Sequence, residues 1–285
     1  MREEQCKQLD NASPLYPKAW KQLSDAPKTL QYLGDISLLQ TRAFTIVGSR
    51  TTTVQARKLG KEIAGELSQT FTIVSGVADG GDESAIEGTL DKGGKVICLL
   101  AGGFSALPQS NLPLLRKVVK NGLLLSPYPF NEPTRSYSYE YRNKLLAYLG
   151  EGTLVLGAAK KSGALITAKY AREANRKVFA LPYAPGTYAG EGCNALIKTG
   201  ACLTESAEDV YSALGVERKE KLPTVLFSET EEKVIKALRT LSESHVNELA
   251  EMSGVPIFKL RALLSALEIK GAVVSLGGNR YAPVK

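Results

Sequence analysis

Short apolar runs, rich in β-branched residues, alternate with longer amphipathic segments through the middle of the chain. Six runs are predicted to form strands: Phe44–Val47, Thr72–Val74, Val96–Leu100, Leu123–Leu125, Thr153–Leu156 and Val178–Leu181. Between them, segments such as Val54–Leu67 and Ala164–Ala174 repeat apolar residues at the spacings of an α-helix. This alternation predicts an α/β fold with a Rossmann-like, doubly wound and mostly parallel sheet, covered by helices on both faces.

The C-terminal part of the chain follows a different pattern. Three apolar segments predict three helices, the last of which begins at Pro256 and ends before Gly271. Two short strands then flank Gly277 and Gly278, which together are a hairpin turn signal. Three helices and a hairpin predict a small winged-helix domain, in which His245 is expected at a solvated helix position.

These patterns divide the chain into four parts. Residues 1–41, interrupted by three prolines, are predicted to be a helical and turn-rich extension that packs on the core. Residues 42–214 are predicted to form the Rossmann-like domain. The charged, proline-containing stretch 215–223 is interpreted as a linker, and residues 224–285 as the winged-helix domain.

Basic and acidic residues are segregated along the chain, which has 285 residues and a net charge of +7. Between Ile36 and Lys61 there are five basic residues and no acidic one, and Lys92–Asn131 and Gly152–Arg172 also lack Asp and Glu. Such segregation favours a positive surface that attracts phosphate backbones. An ordinary solvated basic surface is the alternative.

Several classes of protein are disfavoured by the composition. Four cysteines without a CxxC pair and a single histidine, His245, argue against a metal site and against histidine-based acid–base catalysis. No stretch approaches the roughly 18 apolar residues of a membrane span. The N-terminus lacks the apolar core of a signal peptide. We therefore expect a cytoplasmic protein without a metal ion.

Glycine-containing loops follow several predicted strands, and ligands of open parallel sheets gather at such strand ends. The loops and the residues that they offer to an anion are Gly48, Ser49 and Arg50; Ser75 and Gly76; Ala101, Gly102 and Gly103; and Ser162 and Gly163, with Thr167 one helical turn further. The guanidinium of Arg50 is suited to a two-point contact with phosphate, next to the N–H groups of a helix N-terminus. Simple turn chemistry explains any one of these loops, but less readily all four.

An aromatic and basic segment completes the candidate site. Tyr137, Tyr139 and Tyr141 lie just before a run of Arg142, Asn143 and Lys144. Aromatic rings beside cationic groups are what single-strand binders use to stack bases and hold phosphates. The alternative is the start of a helix whose tyrosines pack inward.

With these residues assembled, the chain resembles the DNA-processing protein A family, also called Smf, from about Tyr16 to Val284. The motifs that carry the resemblance are Tyr16-Pro17; Ile46-Val47-Gly48-Ser49-Arg50; Val74-Ser75-Gly76 with Gly80, Asp82 and Gly88; Pro108 with Asn111; Arg142-Asn143; Ser162-Gly163-Ala164 with Thr167-Ala168; and Gly192 with Asn194-Ala195-Leu196-Ile197. A run of motifs in this order is far more specific than any single loop.

The resemblance implies a bacterial cytoplasmic protein that binds single-stranded DNA and hands it to the RecA recombinase during natural transformation. Members form homodimers and have no established catalytic activity, so no catalytic residue and no cofactor is expected. The site residues implied by the motifs are Arg50 on a backbone phosphate; Arg142, Asn143 and Lys144 along the DNA groove; Gly48, Ser49, Ser75, Gly76, Ser162 and Gly163 around a phosphate pocket; and Tyr139 in the place of an aromatic residue.

The chain departs from the family pattern in the second loop. Where the family usually has Gly-Ile-Asp, this chain has Gly80, Gly81 and Asp82, and Asp79 adds a carboxylate to the loop. A Rossmann-like nucleotide sensor or nucleotide-processing enzyme is therefore the alternative function, and an adaptor that docks a partner through the winged helix is a third. The sequence lacks the P-loop pattern GxxxxGK[ST] and the PGGxGTxxE signature of phosphoribohydrolases.

Overall fold

The computed structural model describes residues 3–107, 109–217 and 227–284. The chain divides into two compact units, Met1–Lys219 and Glu220–Lys285. Pro108 of the family motif, most of the predicted linker and the first residues of the predicted winged-helix domain lie outside the described residues.

The first unit is built on a nine-stranded sheet. Its strands are β1 (Lys7–Asp10), β2 (Thr29–Gly34), β3 (Ala43–Val47), β4 (Thr72–Ser75), β5 (Val96–Leu99), β6 (Leu123–Ser126), β7 (Gly152–Val155), β8 (Lys177–Ala180) and β9 (Cys202–Leu203). They lie in the order β1-β2-β6-β5-β4-β3-β7-β8-β9, with parallel pairing from β6 to β9. All six predicted strands are present, each within one residue of its predicted ends.

The N-terminal extension adds two strands that its sequence did not suggest. β2 pairs antiparallel with β6, and β1 pairs antiparallel with β2. Residues 1–41 are therefore not only helical and turn-rich, although short 3-10 helices do occupy Lys18–Gln22 and Ile36–Gln40. The buried residues of β2, Leu30 and Leu33, are three apart, a spacing that also suits a helix. Pairing with the open edge of β6 decides in favour of a strand.

Helices cover both faces of this sheet. They are α1 (Val54–Leu67), α2 (Gly81–Asp91), α3 (Leu112–Asn121), α4 (Ser136–Leu149), α5 (Gly163–Glu173), α6 (Glu191–Lys198) and α7 (Ala207–Leu214). Side chains of α1, α2, α3 and α7 pack in one apolar core with Phe44 and Phe179 of the sheet. Those of α4, α5 and α6 share a second core with Val74, Val155 and the N-terminal extension. The predicted doubly wound fold is thus confirmed.

The strand order creates a crevice beside β3. From β3 the chain proceeds outward through β4 and β5 to β6, and then crosses to β7 on the other side of β3. Loops that leave β3 and β7 at their carboxyl ends therefore diverge in opposite directions. Open α/β sheets bind their ligands at such a topological switch point.

The second unit has the predicted winged-helix architecture. Its elements are α8 (Glu229–Leu241), β10 (Ser244–His245), α9 (Val246–Ser253), α10 (Ile257–Ile269), β11 (Val273–Gly277) and β12 (Arg280–Pro283), and its strands lie in the order β10-β12-β11. Leu238, Leu249 and Leu264 join the helices in one core. His245 is not within a helix as predicted, because its Nδ1 accepts a hydrogen bond from the N–H of Asn247 and caps α9.

None of the helices in the described ranges is long and apolar enough to cross a membrane.

Candidate functional site

A cleft of about 400 Å³ opens at the switch point between β3 and β7. It is called the first cleft below. Its lining comes from β3, from the loops after β3, β4, β7 and β8, and from α2, α4 and α5: Val47, Gly48, Ser49, Arg50, Thr51, Ala78, Asp82, Tyr139, Arg142, Asn143, Ala159, Lys161, Ser162, Gly163, Ala164, Thr167 and Tyr188. Nine of the twelve sequence-predicted site residues are in this lining, namely Gly48, Ser49, Arg50, Tyr139, Arg142, Asn143, Ser162, Gly163 and Thr167.

The floor of the first cleft is formed by two loops in backbone contact. A Cβ atom added to Gly48 would lie 2.7 Å from the Cα of Gly81, so this approach requires glycine. The N–H of Gly81 donates to the carbonyl of Ser49 at 3.3 Å, and the N–H of Ser49 donates to the carbonyl of Gly157 at 2.8 Å. The exit of β3 is therefore fixed to its neighbours on both sides.

Arg50 is the exposed cation of the β3 loop. Within the described residues it has no ion-pair partner. Beside it, the hydroxyl oxygens of Ser49 and Thr51 lie 3.0 Å apart. The loop thus presents an uncommitted guanidinium and two hydroxyl groups to the cleft, which is the donor set that a phosphate accepts.

A buried polar network lies beneath the cleft. Asp82, only 4% exposed, accepts hydrogen bonds from the N–H groups of Gly48 at 3.0 Å and Ala78 at 3.3 Å. Burial raises the pKa of its carboxyl group, and the nearby guanidinium of Arg142 opposes that shift. Burial has the opposite effect on the basic Arg142, which is 5% exposed, and lowers the pKa of its guanidinium.

Arg142 connects this network to the other side of the crevice. Its Nη1 donates to the carbonyl of Leu99 at 3.1 Å, and its Nε donates to Oδ1 of Asn143 at 3.0 Å. The amide of Asn143 then donates to the carbonyl of Gly163 at 3.0 Å. Arg142 and Asn143 do line the cleft, but these hydrogen bonds commit them first to holding the loops together.

The N-terminus of α5 faces the first cleft. Ser162 is its N-cap and accepts from the N–H of Ala164 at 3.3 Å. Lys160 and Lys161 are exposed just before it, although cations are disfavoured by the dipole at a helix N-terminus. That cost is offset when an anion binds there.

Thr167 stands one turn into α5 and is fully buried. Its Oγ1 has no hydrogen-bond partner in the described structure, although the residue lines the first cleft. A buried hydroxyl left without a partner costs about 1–3 kcal/mol. Thr167 is therefore ready to bond to a polar atom that enters the cleft.

Two exposed aromatic rings border the cleft. Tyr139 is 42% exposed, and its ring centre lies 6.0 Å from the guanidinium carbon of Arg142. Tyr188, which is 67% exposed, was missed by the sequence analysis because no periodic pattern or basic run surrounds it. Tyr141 instead donates its hydroxyl to the carbonyl of Asp25 at 2.6 Å. Of the three predicted tyrosines, Tyr139 alone is among the described residues that line the first cleft.

Three predicted site residues are not in the lining of the first cleft. The hydroxyl of Ser75 donates to the carbonyl of Ile46 at 2.7 Å within the sheet. Gly76 lies against Arg142 and gives its guanidinium room. Lys144 forms an ion pair with Asp25 at 2.7 Å and thereby joins α4 to the N-terminal extension. These residues shape or support the site rather than face it.

A second, smaller cleft of about 170 Å³ adjoins the first at the ends of β4 and β5. The two clefts share Arg50, Ala78, Tyr139 and Arg142. The remaining lining of the second cleft is Val77, Asp79, Leu100, Ala101, Gly102, Gly103, Ala106, Leu107, Asn111 and Thr134. Together the clefts form a continuous recess along the carboxyl edge of the sheet.

Comparison with known proteins finds one family along most of the chain. The sequence profile described as DNA recombination-mediator protein A matches residues 7–215, and that of the DprA winged helix domain matches residues 220–279. Protein Smf of Synechocystis sp. is 36% identical over 208 residues, which are 71% of this chain and 52% of that protein. The chain thus spans about half the length of this relative.

Two solved structures are similar in fold to about three quarters of this chain. The X-ray structure of DNA processing protein A from Streptococcus pneumoniae matches with a TM-score of 0.70 and 32% identity, over 74% of this chain and 75% of that one. DNA processing protein A from Helicobacter pylori, described for its single-stranded DNA binding mode, matches with a TM-score of 0.67 and 30% identity, over 75% of this chain and 98% of that one.

Proposed function

Because the chain belongs to the DNA recombination-mediator protein A family, we propose that it binds single-stranded DNA at the first cleft and delivers it to a RecA-type recombinase. Binding does not require a particular sequence. The proposal includes a homodimer that acts in the cytoplasm, in recombination and natural transformation, and a binding role without catalysis.

One observation carries this proposal. The uncommitted guanidinium of Arg50 and the N-terminus of α5 converge on one cleft from opposite sides of the switch point. Both bind phosphate through charge-assisted hydrogen bonds and oriented N–H groups. The unpartnered hydroxyl of Thr167 supplies a further donor. These contacts address the backbone, which carries no sequence information.

The aromatic rings favour a single strand over a duplex. Tyr139 and Tyr188 are exposed at the cleft, where unpaired bases can stack on them. In a duplex the bases are already stacked on each other and their faces are closed to protein side chains. Losing the stacking contributions of about 1–3 kcal/mol per base would leave only the phosphate contacts.

The same cleft also has room for a mononucleotide, which keeps a nucleotide sensor as the second candidate function. About 400 Å³ is within the range of small-molecule sites, and a switch point is where such folds bind nucleotides. The two candidates differ in length dependence, since a strand that crosses several cations gains affinity with every phosphate neutralised.

Fluorescence anisotropy can distinguish binding of single-stranded DNA from binding of a mononucleotide. Labelled oligothymidylate is titrated with the full chain at several salt concentrations, in competition with a blunt duplex and with mononucleotides. We expect the single strand to bind most tightly, with log K falling by about 0.7 per contacted phosphate as log salt rises. Equal binding of the duplex, or effective competition by mononucleotides at similar concentrations, would reject the proposal.

A further inference from the structure

The second cleft contains a carboxylate, although the ligand proposed above, single-stranded DNA, is itself negatively charged. Asp79 is exposed in the loop between β4 and α2 and lines this cleft together with Arg50 and Tyr139. We infer that the second cleft binds one base of the strand, a cytosine, whose amino group donates to Asp79. This inference rests on the proposed function and adds a preference at one nucleotide to backbone-driven binding.

The carboxylate of Asp79 is uncommitted, in contrast to its acidic neighbours. Asp82 accepts two backbone hydrogen bonds beneath the first cleft. Glu83 accepts from the N–H of Gly80 at 3.3 Å at the start of α2. Asp79 has no hydrogen bond and no ion pair among the described residues, even though Arg50 lines the same cleft. Arg50 and Asp79 carry opposite charges without forming an ion pair in the described structure, so one ligand in the second cleft can contact both.

The negative charge of Asp79 favours a base edge over a phosphate as its neighbour in a bound nucleotide. A phosphate beside a carboxylate is repelled, whereas a base edge with an amino group is attracted, because carboxylates accept hydrogen bonds from the N4 amino group of cytosine. Thymine presents its O4 acceptor at the equivalent position and is disfavoured. The guanidinium of Arg50, shared by both clefts, can then hold the phosphate that joins this nucleotide to the next.

Size and walls suit a pyrimidine. A closed cavity of about 150 Å³ holds benzene, so a cleft of about 170 Å³ has room for a single six-membered ring. The exposed ring of Tyr139 offers a stacking face. Asn111, in the same lining, is fixed by donating to the carbonyl of Val77 at 2.7 Å, which gives the cleft a defined wall.

Competition among oligonucleotides tests this inference. Oligo-dC, oligo-dT, oligo-dA and alternating dG-dT strands of about 12 nucleotides, within the site sizes of single-strand binders, compete for labelled oligo-dT in a mildly alkaline buffer. We expect oligo-dC to bind about three- to tenfold more tightly than oligo-dT, which corresponds to one partly exposed charge-assisted hydrogen bond.

Variants assign the preference to the carboxylate. Asp79→Ala should equalise oligo-dC and oligo-dT, and Asp79→Asn should restore part of the difference through its amide oxygen. Glu62→Gln, an equal change of charge at an exposed position of α1 outside both clefts, should leave the ratio unchanged. Because Asp79 has no partner in the described structure, the melting temperatures of its variants should match that of the unmodified chain.

The possible failures are distinguishable. If no single strand binds, the proposed function fails and this inference fails with it. If all strands bind equally, or if the dC preference survives Asp79→Ala, the inference is overturned while the proposed function stands. Tightest binding of the dG-containing strand would overturn the assignment of a pyrimidine cleft.

Discussion

Replacing Arg50 by alanine removes the exposed guanidinium that the two clefts share, and should weaken single-strand binding without weakening the fold. Arg50 has no ion pair among the described residues, and the buried carboxylate of Asp82, on which its charge also acts, keeps the stronger influence of Arg142 when Arg50 is removed. A charge-assisted hydrogen bond contributes about 1.5–3 kcal/mol, or roughly ten- to hundredfold in affinity. Since Arg50 is exposed and screened by water and salt, we expect the lower end, about tenfold.

The assay measures two quantities on each variant. Anisotropy with labelled oligothymidylate gives the affinity and its salt dependence, whose slope should fall by about 0.7 when one phosphate contact is lost. Thermal unfolding gives stability. Arg50→Lys should recover only part of the affinity, because an ammonium group cannot make a planar two-point contact. Arg116→Ala is the matched control, since Arg116 is exposed on α3 and lines neither cleft.

Three results would refute the reasoning about Arg50. Unchanged affinity in Arg50→Ala would show that the guanidinium does not contact the strand. A parallel loss of melting temperature would assign Arg50 a role in the fold instead. An equal loss of affinity in Arg116→Ala would attribute the effect to net charge rather than to this site.

Three further substitutions test the architecture beneath the clefts. Thr167→Val removes a buried hydroxyl that has no hydrogen-bond partner among the described residues, so the free energy of unfolding should rise by up to about 1 kcal/mol while affinity falls up to tenfold; a loss in both would contradict this. Arg142→Ala removes the cation beside the buried carboxylate of Asp82, so the free energy of unfolding measured with denaturant should fall by about 3–5 kcal/mol. A fall of less than about 1 kcal/mol would show that the pair is not coupled. Gly81→Ala places a Cβ against the backbone of Gly48 and should lower both melting temperature and affinity; an unchanged melting temperature would show that the loops can separate freely.

The sequence was sufficient to predict the parallel strands and the edge where the candidate site lies. The strands β3, β4 and β6 are buried along their whole length, and a glycine or a serine marks the carboxyl end of each apolar run. Parallel topology then brings the carboxyl ends together, which is why Arg50 and Ser162, more than a hundred residues apart, line one cleft. This step needs the strand order but no side-chain detail.

The direction of side chains around α4 could not be predicted. Arg142, Asn143 and Lys144 form one basic run, but successive helical residues point about 100° apart. Arg142 and Asn143 consequently turn toward the crevice, whereas Lys144 pairs with Asp25 of the N-terminal extension. That pairing depends on β1 and β2, which the apolar spacing of the extension did not reveal.

The two clefts are expected to be rigid because many of their backbone and side-chain groups already form contacts within the protein. The loops after β3 and β4 touch backbone to backbone, and hydrogen bonds through Arg142 and Asn143 link Leu99 at the end of β5 to Gly163 at the start of α5. Only the exposed side chains, Arg50 and Tyr139 among them, remain to be ordered by a ligand. Each immobilised side chain costs about 0.5–1.5 kcal/mol, far less than ordering a loop. We therefore expect differences in affinity between strands to arise from charge and base chemistry at fixed positions, rather than from rearrangement of the backbone.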